Sequence, residues 1–208
     1  MKRYFADTEN QMFINLFQPS KPILCSTKND DGTDHIAPFS WINPVSYCPP
    51  MVAVSMSCKP KKPQSLINIE RTGEFAVNYM QSEFADRLVY AAFPAEGENK
   101  FDRSGLTREK CAVIGVCAIA ESCAFLECRV REICEFGDTN TIFADIVSAT
   151  YDDEIFTPPK MLVNIKKYDP IFHLDSYEHQ SGQLHVFMSA GKEYVADIPY
   201  PKSEEVVI

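Results

Sequence analysis

Apolar and polar residues alternate with a period of two over several short stretches, and longer helical periods are scarce. Ile23-Leu24-Cys25-Ser26-Thr27 reads as a strand, and Asn29-Asp30-Asp31-Gly32 signals a hairpin because Asp-Gly tolerates positive φ. The return strand is expected over residues 35–41, followed by a proline-bearing loop with Pro44, Pro49 and Pro50. Residues 51–57 alternate strictly and predict a third strand. Residues 65–73 predict a short helix with Ser65 at its N-cap and Gly73 just past its end. Another strand is expected over residues 74–80, an amphipathic helix over 83–93 and a charged loop over 94–108. Residues 124–136 and 141–151 form a second hairpin pattern around residues 137–140. From Tyr168 onward no period dominates, which leaves either a short hairpin or an arm that packs on a partner. Many strands, few helices and no regular βαβ alternation predict an antiparallel barrel with attached helices.

The 208-residue chain is 45% hydrophobic and 24% charged, the balance of a globular protein able to bury a core unaided. The longest nearly continuous apolar run, residues 111–120, is about half of the ~20 residues a spanning helix needs. The N-terminus turns acidic at Asp7 and lacks a signal peptide's apolar run, so a cytoplasmic location without membrane insertion is expected. Twenty basic against twenty-nine acidic side chains give a net charge of −9, which disfavours nucleic acid and anionic membranes as partners. The eight cysteines contain no C-x-x-C pair and sit mostly among apolar neighbours, which predicts reduced, buried thiols. The four histidines form no H-E-x-x-H, and no metal site is expected.

The eight glycines lie no closer than eight residues apart, so neither a G-x-G-x-x-G turn nor a P-loop exists, and G-x-S-x-G is absent. A phosphorylated ligand would need another device. One candidate is Ser55-Met56-Ser57-Cys58-Lys59-Pro60-Lys61-Lys62-Pro63-Gln64-Ser65, where three lysines fall within four residues between a strand and a helix start. Hydroxyls, ammonium groups and helix N–H donors together suit an anion. The same run reads equally as a solvated loop, or as a nuclear-import signal. A second candidate is Ala37-Pro38-Phe39-Ser40-Trp41-Ile42-Asn43-Pro44-Val45-Ser46, which holds the only tryptophan. Phe39, Trp41 and Ile42 offer an apolar face and Ser40 and Asn43 an edge for a planar heterocycle; the alternative is Trp41 buried in the core.

These segments, in this order, resemble the flavin reductase-like family of FMN-binding split barrels, which includes the flavoredoxins. The likeness begins at Pro22 and Asp31-Gly32, takes in both candidate stretches and Pro49-Pro50-Met51-Val52-Ala53-Val54, and continues through Asn68-Ile69 and Thr72-Gly73-Glu74-Phe75-Ala76-Val77-Asn78. Asn99-Lys100-Phe101, Gly105-Leu106-Thr107 and Leu126-Glu127-Cys128-Arg129-Val130 extend it to roughly residue 150. The resemblance implies a mainly β fold, a six-stranded antiparallel split barrel with peripheral helices over residues 1–165. Residues 166–208 would form an extension packed on the same domain or on a dimer partner. It implies a homodimer with one FMN per subunit near the interface. By position, Ser40, Trp41, Ile42 and Asn43 would lie along the ring and ribityl chain, and Ser55, Met56 and Ser57 would line the cofactor. Lys59, Lys62 and Ser65 would hold the phosphate, each charge-assisted contact contributing ~1.5–3 kcal/mol. Cys58 and the triple lysine are less typical of the family, which leaves open which of Lys59, Lys61 and Lys62 reaches the phosphate; Lys100 and Phe101 would approach the flavin too, within the subunit or across the interface.

The implied activity is that of an FMN-dependent oxidoreductase taking electrons from NAD(P)H or a protein donor and passing them to a flavin, metal ion or redox partner. Such chemistry resides in the cofactor and needs no acid–base pair or nucleophile, and no catalytic residue is assigned. The alternative is a non-enzymatic FMN-binding electron carrier that docks partners through its acidic surface. A third reading, a structural dimer with a vestigial flavin site, would leave the protein colourless.

Overall fold

The first alternating segments pair as a hairpin in the computed structural model, which describes residues 16–92, 97–179 and 182–189. β1 (Ile23–Lys28) and β2 (Asp34–Phe39) run antiparallel, with Ile23 opposite Phe39 and Thr27 opposite His35. Between them Gly32 has φ 82°, and the Asp31 carboxylate accepts from the N–H and the hydroxyl of Thr33 at 2.8 and 2.6 Å. The Asp-Gly signal is realised as a turn in the left-handed region that glycine enters without strain.

β2 ends at Phe39, short of the expected Trp41, and after Ser40 and Trp41 the chain re-enters the sheet as β3 (Ile42–Tyr47). This stretch was expected to belong to a proline loop. It pairs instead with β4 (Pro50–Ser57), with a register shift between Pro44 and Ser46. Proline removes a ladder donor, which an edge strand tolerates, and β3 is the last strand of its sheet.

α1 (Gln64–Thr72) has Pro63 rather than Ser65 at its N-cap, two residues earlier than expected, and closes on Gly73 at φ 68°. β5 (Glu74–Tyr79) follows, then a 3₁₀ turn at Ser82–Phe84 and α2 (Ala85–Ala92). The expected charged loop contains α3 (Lys100–Ser104), whose N-cap Asn99 accepts from the N–H of Phe101 at 2.9 Å. β6 (Arg108–Lys110) and β7 (Cys117–Ile119) pair with each other. The long hairpin is β8 (Ala124–Phe136) and β9 (Thr139–Tyr151), with Phe136 opposite Thr139 and Gly137 at φ 60°. The chain continues through the small pair β10 (Phe156–Thr157) and β11 (Leu162–Val163). β12 (Ile171–His179) and β13 (Gly182–Ser189) form a final hairpin, the first of the two forms expected for this region. Residues 190–208, the rest of the expected extension, lie outside the described residues.

One antiparallel sheet of seven strands, in the order β2-β1-β5-β8-β9-β4-β3, is the body of the split barrel. The expectation of six strands is corrected by β3, and the ladder is not closed between β2 and β3. The sheet coils on itself all the same. Ile23 and Cys25 of β1, Val52, Val54 and Met56 of β4, Phe75 and Val77 of β5 and Ile142 of β9 share one core, plugged by Leu66 and Ile69 of α1. On the other face Leu24, Ile36 and Met80 pack under Leu88 of α2 and Phe101 of α3, and Ile171 at the start of β12 joins this second cluster. Ser20 and His173 exchange backbone hydrogen bonds at 3.0 and 2.8 Å, tying the start of the final hairpin to the segment preceding β1.

The apolar run 111–120 is no helix. Cys111, Ile114, Val116 and Ala118 pack on Ala76 and Phe125, and the fully buried Glu127 carboxylate accepts from the N–H groups of Ala112, Val113 and Ile114 at 2.9, 2.7 and 3.0 Å. Among the described residues no helix is long and apolar enough to cross a membrane. All eight cysteines are unpaired; Cys25, Cys111, Cys123 and Cys128 are buried as expected, whereas Cys48 is exposed.

Candidate functional site

The break between β2 and β3 and the outer face of β4 build one concavity. Because Val52, Val54 and Met56 point into the core, Ala53, Ser55 and Ser57 point outward. The Ser55 N–H donates to the Trp41 carbonyl at 2.9 Å, and the Ser55 hydroxyl shares a hydrogen bond with that of Thr141 at 2.8 Å. A cleft of about 450 Å³ is lined by Ser40, Trp41, Ile42, Asn43, Ala53 and Ser55 and by residues 17–21. Trp41 is 44% exposed, so the alternative of a core tryptophan is excluded. Five of the residues singled out from sequence thus share one surface, with an indole and three short polar side chains.

Met56 does not join them. It is fully buried in the barrel core, since odd and even positions of a strand face opposite sides. Ser57 is exposed on the outer face, and its hydroxyl accepts from the Lys59 N–H at 3.3 Å. Ala53 to Ser57 spans about 13 Å along β4, so the outer face runs from the cleft toward the lysine loop and the start of α1.

There the cations are exposed and two have partners. Lys59 pairs with Asp138 at 3.1 Å, and Lys62 bonds both Glu70 oxygens at 2.7 and 2.9 Å, which raises the Lys62 pKa. Ser65 is fully buried, and its hydroxyl has no hydrogen-bond partner. The N–H groups of Leu66 and Ile67 both go to the Pro63 carbonyl, at 3.0 and 3.2 Å. Those of Gln64 and Ser65 precede the ladder, and Pro63 supplies no side-chain cap. An orphaned buried hydroxyl, open helix N–H donors and two surface lysines are a donor set suited to a phosphate. An indole-walled cleft with polar edges suits a planar ring. The residues fit a flavin mononucleotide.

Lys100 and Phe101 line no part of this cleft. Phe101 is buried beneath α2, and Lys100 lies beside His35, where burial lowers the pKa of both. Sequence reasoning missed Lys21, Thr141, Asp138 and Glu70, which reach the site from distant strands or by facing charges that no local motif marks. Lys21 is the least expected. Its ammonium lies 4.2 Å from the Tyr79 ring centroid and 5.5 Å from that of Tyr168.

A protein of Aquifex aeolicus is 29% identical over 178 residues, covering 84% of this chain and 90% of that one. The structure is similar to that of 2-nitrobenzoate 2-nitroreductase NbaA from Pseudomonas fluorescens, with a TM-score of 0.79 at 19% identity over 95% of this chain and 96% of that one. It is also similar to flavoredoxin of Desulfovibrio vulgaris, with a TM-score of 0.73 at 20% identity over 95% and 97% of the two chains. A family model, that of the Flavin reductase like domain, matches residues 18–171, and the chain belongs to this family.

Proposed function

We propose that this chain binds FMN and acts as an oxidoreductase that moves electrons from NAD(P)H or a protein donor to a flavin, a metal ion or a redox partner. One observation carries the reading: the indole-walled cleft opens on the outer face of β4, and that strand leads on to a helix start whose buried Ser65 hydroxyl is unpartnered. Trp41 would provide the flat wall, Ser40, Asn43 and Ser55 the polar edge, and Ser65 with Lys59 and Lys62 the phosphate contacts. Bound there, a flavin supplies hydride acceptance and electron release within one ring. The chain's own task is to fix that ring between Trp41 and residues 17–20 and to anchor its tail.

Exposed salt bridges such as Lys59–Asp138 and Lys62–Glu70 contribute only about 0–1 kcal/mol, so a doubly charged phosphate competes well for either lysine. At the far end of the edge strand β3, Tyr47 is 99% exposed. A second copy covering this edge would satisfy its open ladder and enclose the ring, and the working unit is proposed to be a homodimer.

The test is the visible spectrum of the purified protein, titrated with FMN, FAD and riboflavin, then mixed rapidly with NADH or NADPH under anaerobic conditions. A flavin band, FMN bound about tenfold or more tightly than riboflavin, and bleaching by a nicotinamide are expected. Colourless protein that takes up no flavin overturns the reading. Flavin that neither nicotinamide bleaches replaces the enzyme by an electron carrier, which the chain's net charge of −9 would suit for docking basic partners.

A further inference from the structure

We propose that Lys21 supplies the cleft with an uncancelled positive charge that raises the reduction potential of the bound flavin; this rests on the flavin occupying the cleft as read above. Ile23 stands opposite Phe39 at the end of the β1–β2 ladder. Continuing that register two residues places Lys21 across from Trp41, and both line the cleft. Lys21 is therefore beside the proposed ring, at a point the lysine loop does not reach.

The seat of the ammonium is unusual for this protein. Lys28, Lys59, Lys62 and Lys167 each pair with a carboxylate. Lys21 Nζ instead lies over two aromatic faces, at 4.2 Å from the Tyr79 centroid and 5.5 Å from the Tyr168 centroid, and makes no salt bridge among the described residues. Ring faces attract a cation without neutralising it. The ionisable groups that act on it directly, Tyr79, Tyr168 and Cys123, carry no charge to oppose it. Burial pushes Tyr79 and Tyr168 up to about 12, and it raises the pKa of the Cys123 thiol, whose Sγ donates to the Tyr79 carbonyl at 3.2 Å. Burial lowers the Lys21 pKa, the cost of holding an ammonium in a half-buried seat without a counter-ion.

Uptake of two electrons and one proton converts the neutral flavin ring into one with a single net negative charge. A fixed cation in the wall of the site binds that form more tightly than the oxidised one, and by linkage the difference appears as a higher midpoint potential. Lys21 is thus a positioning residue for charge; it need not touch the reacting atoms.

The test compares FMN-loaded wild-type protein with Lys21→Met, Lys21→Gln and Lys21→Arg. Each is reduced with dithionite against a reference dye to obtain the midpoint potential, and the Kd for oxidised FMN is measured in parallel. The expected result is that Lys21→Met and Lys21→Gln retain the oxidised-FMN Kd within about twofold. Their preference for the reduced form should fall about tenfold, a drop of about 30 mV for a two-electron couple, and Lys21→Arg should restore the wild-type potential. Should Lys21→Met fail to fold, Lys21→Gln carries the same comparison. A neutral variant with bound FMN and an unchanged potential overturns the inference while leaving the flavin site standing, as does an equal loss of affinity for both forms. Wild-type protein that binds no FMN overturns the reading of the site and this inference with it.

Discussion

Lys62 Nζ, just before α1, donates to both carboxylate oxygens of Glu70 in that helix at 2.7 and 2.9 Å. An acidic side chain thus occupies one of the lysines proposed to meet a phosphate at the helix start. Glu70→Gln should free that lysine and tighten FMN binding about two- to fivefold, the scale of one exposed ion pair, while leaving riboflavin binding unchanged. Fluorescence titration with both ligands measures it. An equal effect on both would show that Lys62 does not read the phosphate.

Ser65 gives the opposite sign in two measurements. Its buried hydroxyl has no partner, and an unsatisfied buried polar group costs roughly 1–3 kcal/mol. Ser65→Ala should leave folding stability unchanged or raise it by up to about 1 kcal/mol in urea denaturation. The same substitution should weaken FMN by about 10- to 100-fold, the worth of one hydrogen bond to a charged group, with little loss for riboflavin. A variant that is less stable and binds FMN normally would assign the hydroxyl a structural role.

The parts of this arrangement that sequence discloses are those with a local physical cause. Gly32 and Gly73 mark a turn and a helix end because both sit at positive φ, and the alternation of residues 51–57 reveals which side of β4 faces out. β3 escaped because Pro44 argues against a strand unless the strand is known to lie at an edge, and edge position is a property of the whole sheet. α3 is only five residues long and is held by the Asn99 cap and the burial of Phe101, so no periodicity announces it. Strand alternation alone would have separated Met56 from Ser55 and Ser57, which family resemblance grouped together. The partners of the lysines, and the seat of Lys21 on Tyr79 and Tyr168, arise from contacts across the fold that spacing does not encode.

Glu127 holds the segment after β6 through three backbone donors, Ala112, Val113 and Ile114. Burial alone would raise its pKa, yet those N–H groups and the Ser148 side chain outweigh burial and lower it, so the carboxylate is ionised. Glu127→Gln offers one acceptor oxygen where two served three donors, leaving at least one part-buried N–H unmet. A loss of about 1–3 kcal/mol is expected in denaturant unfolding, with FMN affinity unaltered because this segment lines no part of the cleft. A thermal melt and an FMN titration on the same variant separate the two effects.

His35 sets an acid limit on stability. Burial, with a smaller contribution from neighbouring Lys100, lowers its pKa from 6.5 to about 4. The unfolded chain therefore binds a proton below pH 6.5 that the folded chain refuses until about pH 4, and stability falls as pH drops through that window. The penalty is absent above the upper value and complete below the lower one, reaching about 3 kcal/mol. Between pH 7 and pH 5 the wild-type protein should lose about 2 kcal/mol by this route, and His35→Gln should remove that share of the slope. Urea unfolding at the two pH values checks it; parallel losses in the wild type and the variant would show that His35 titrates normally in the fold.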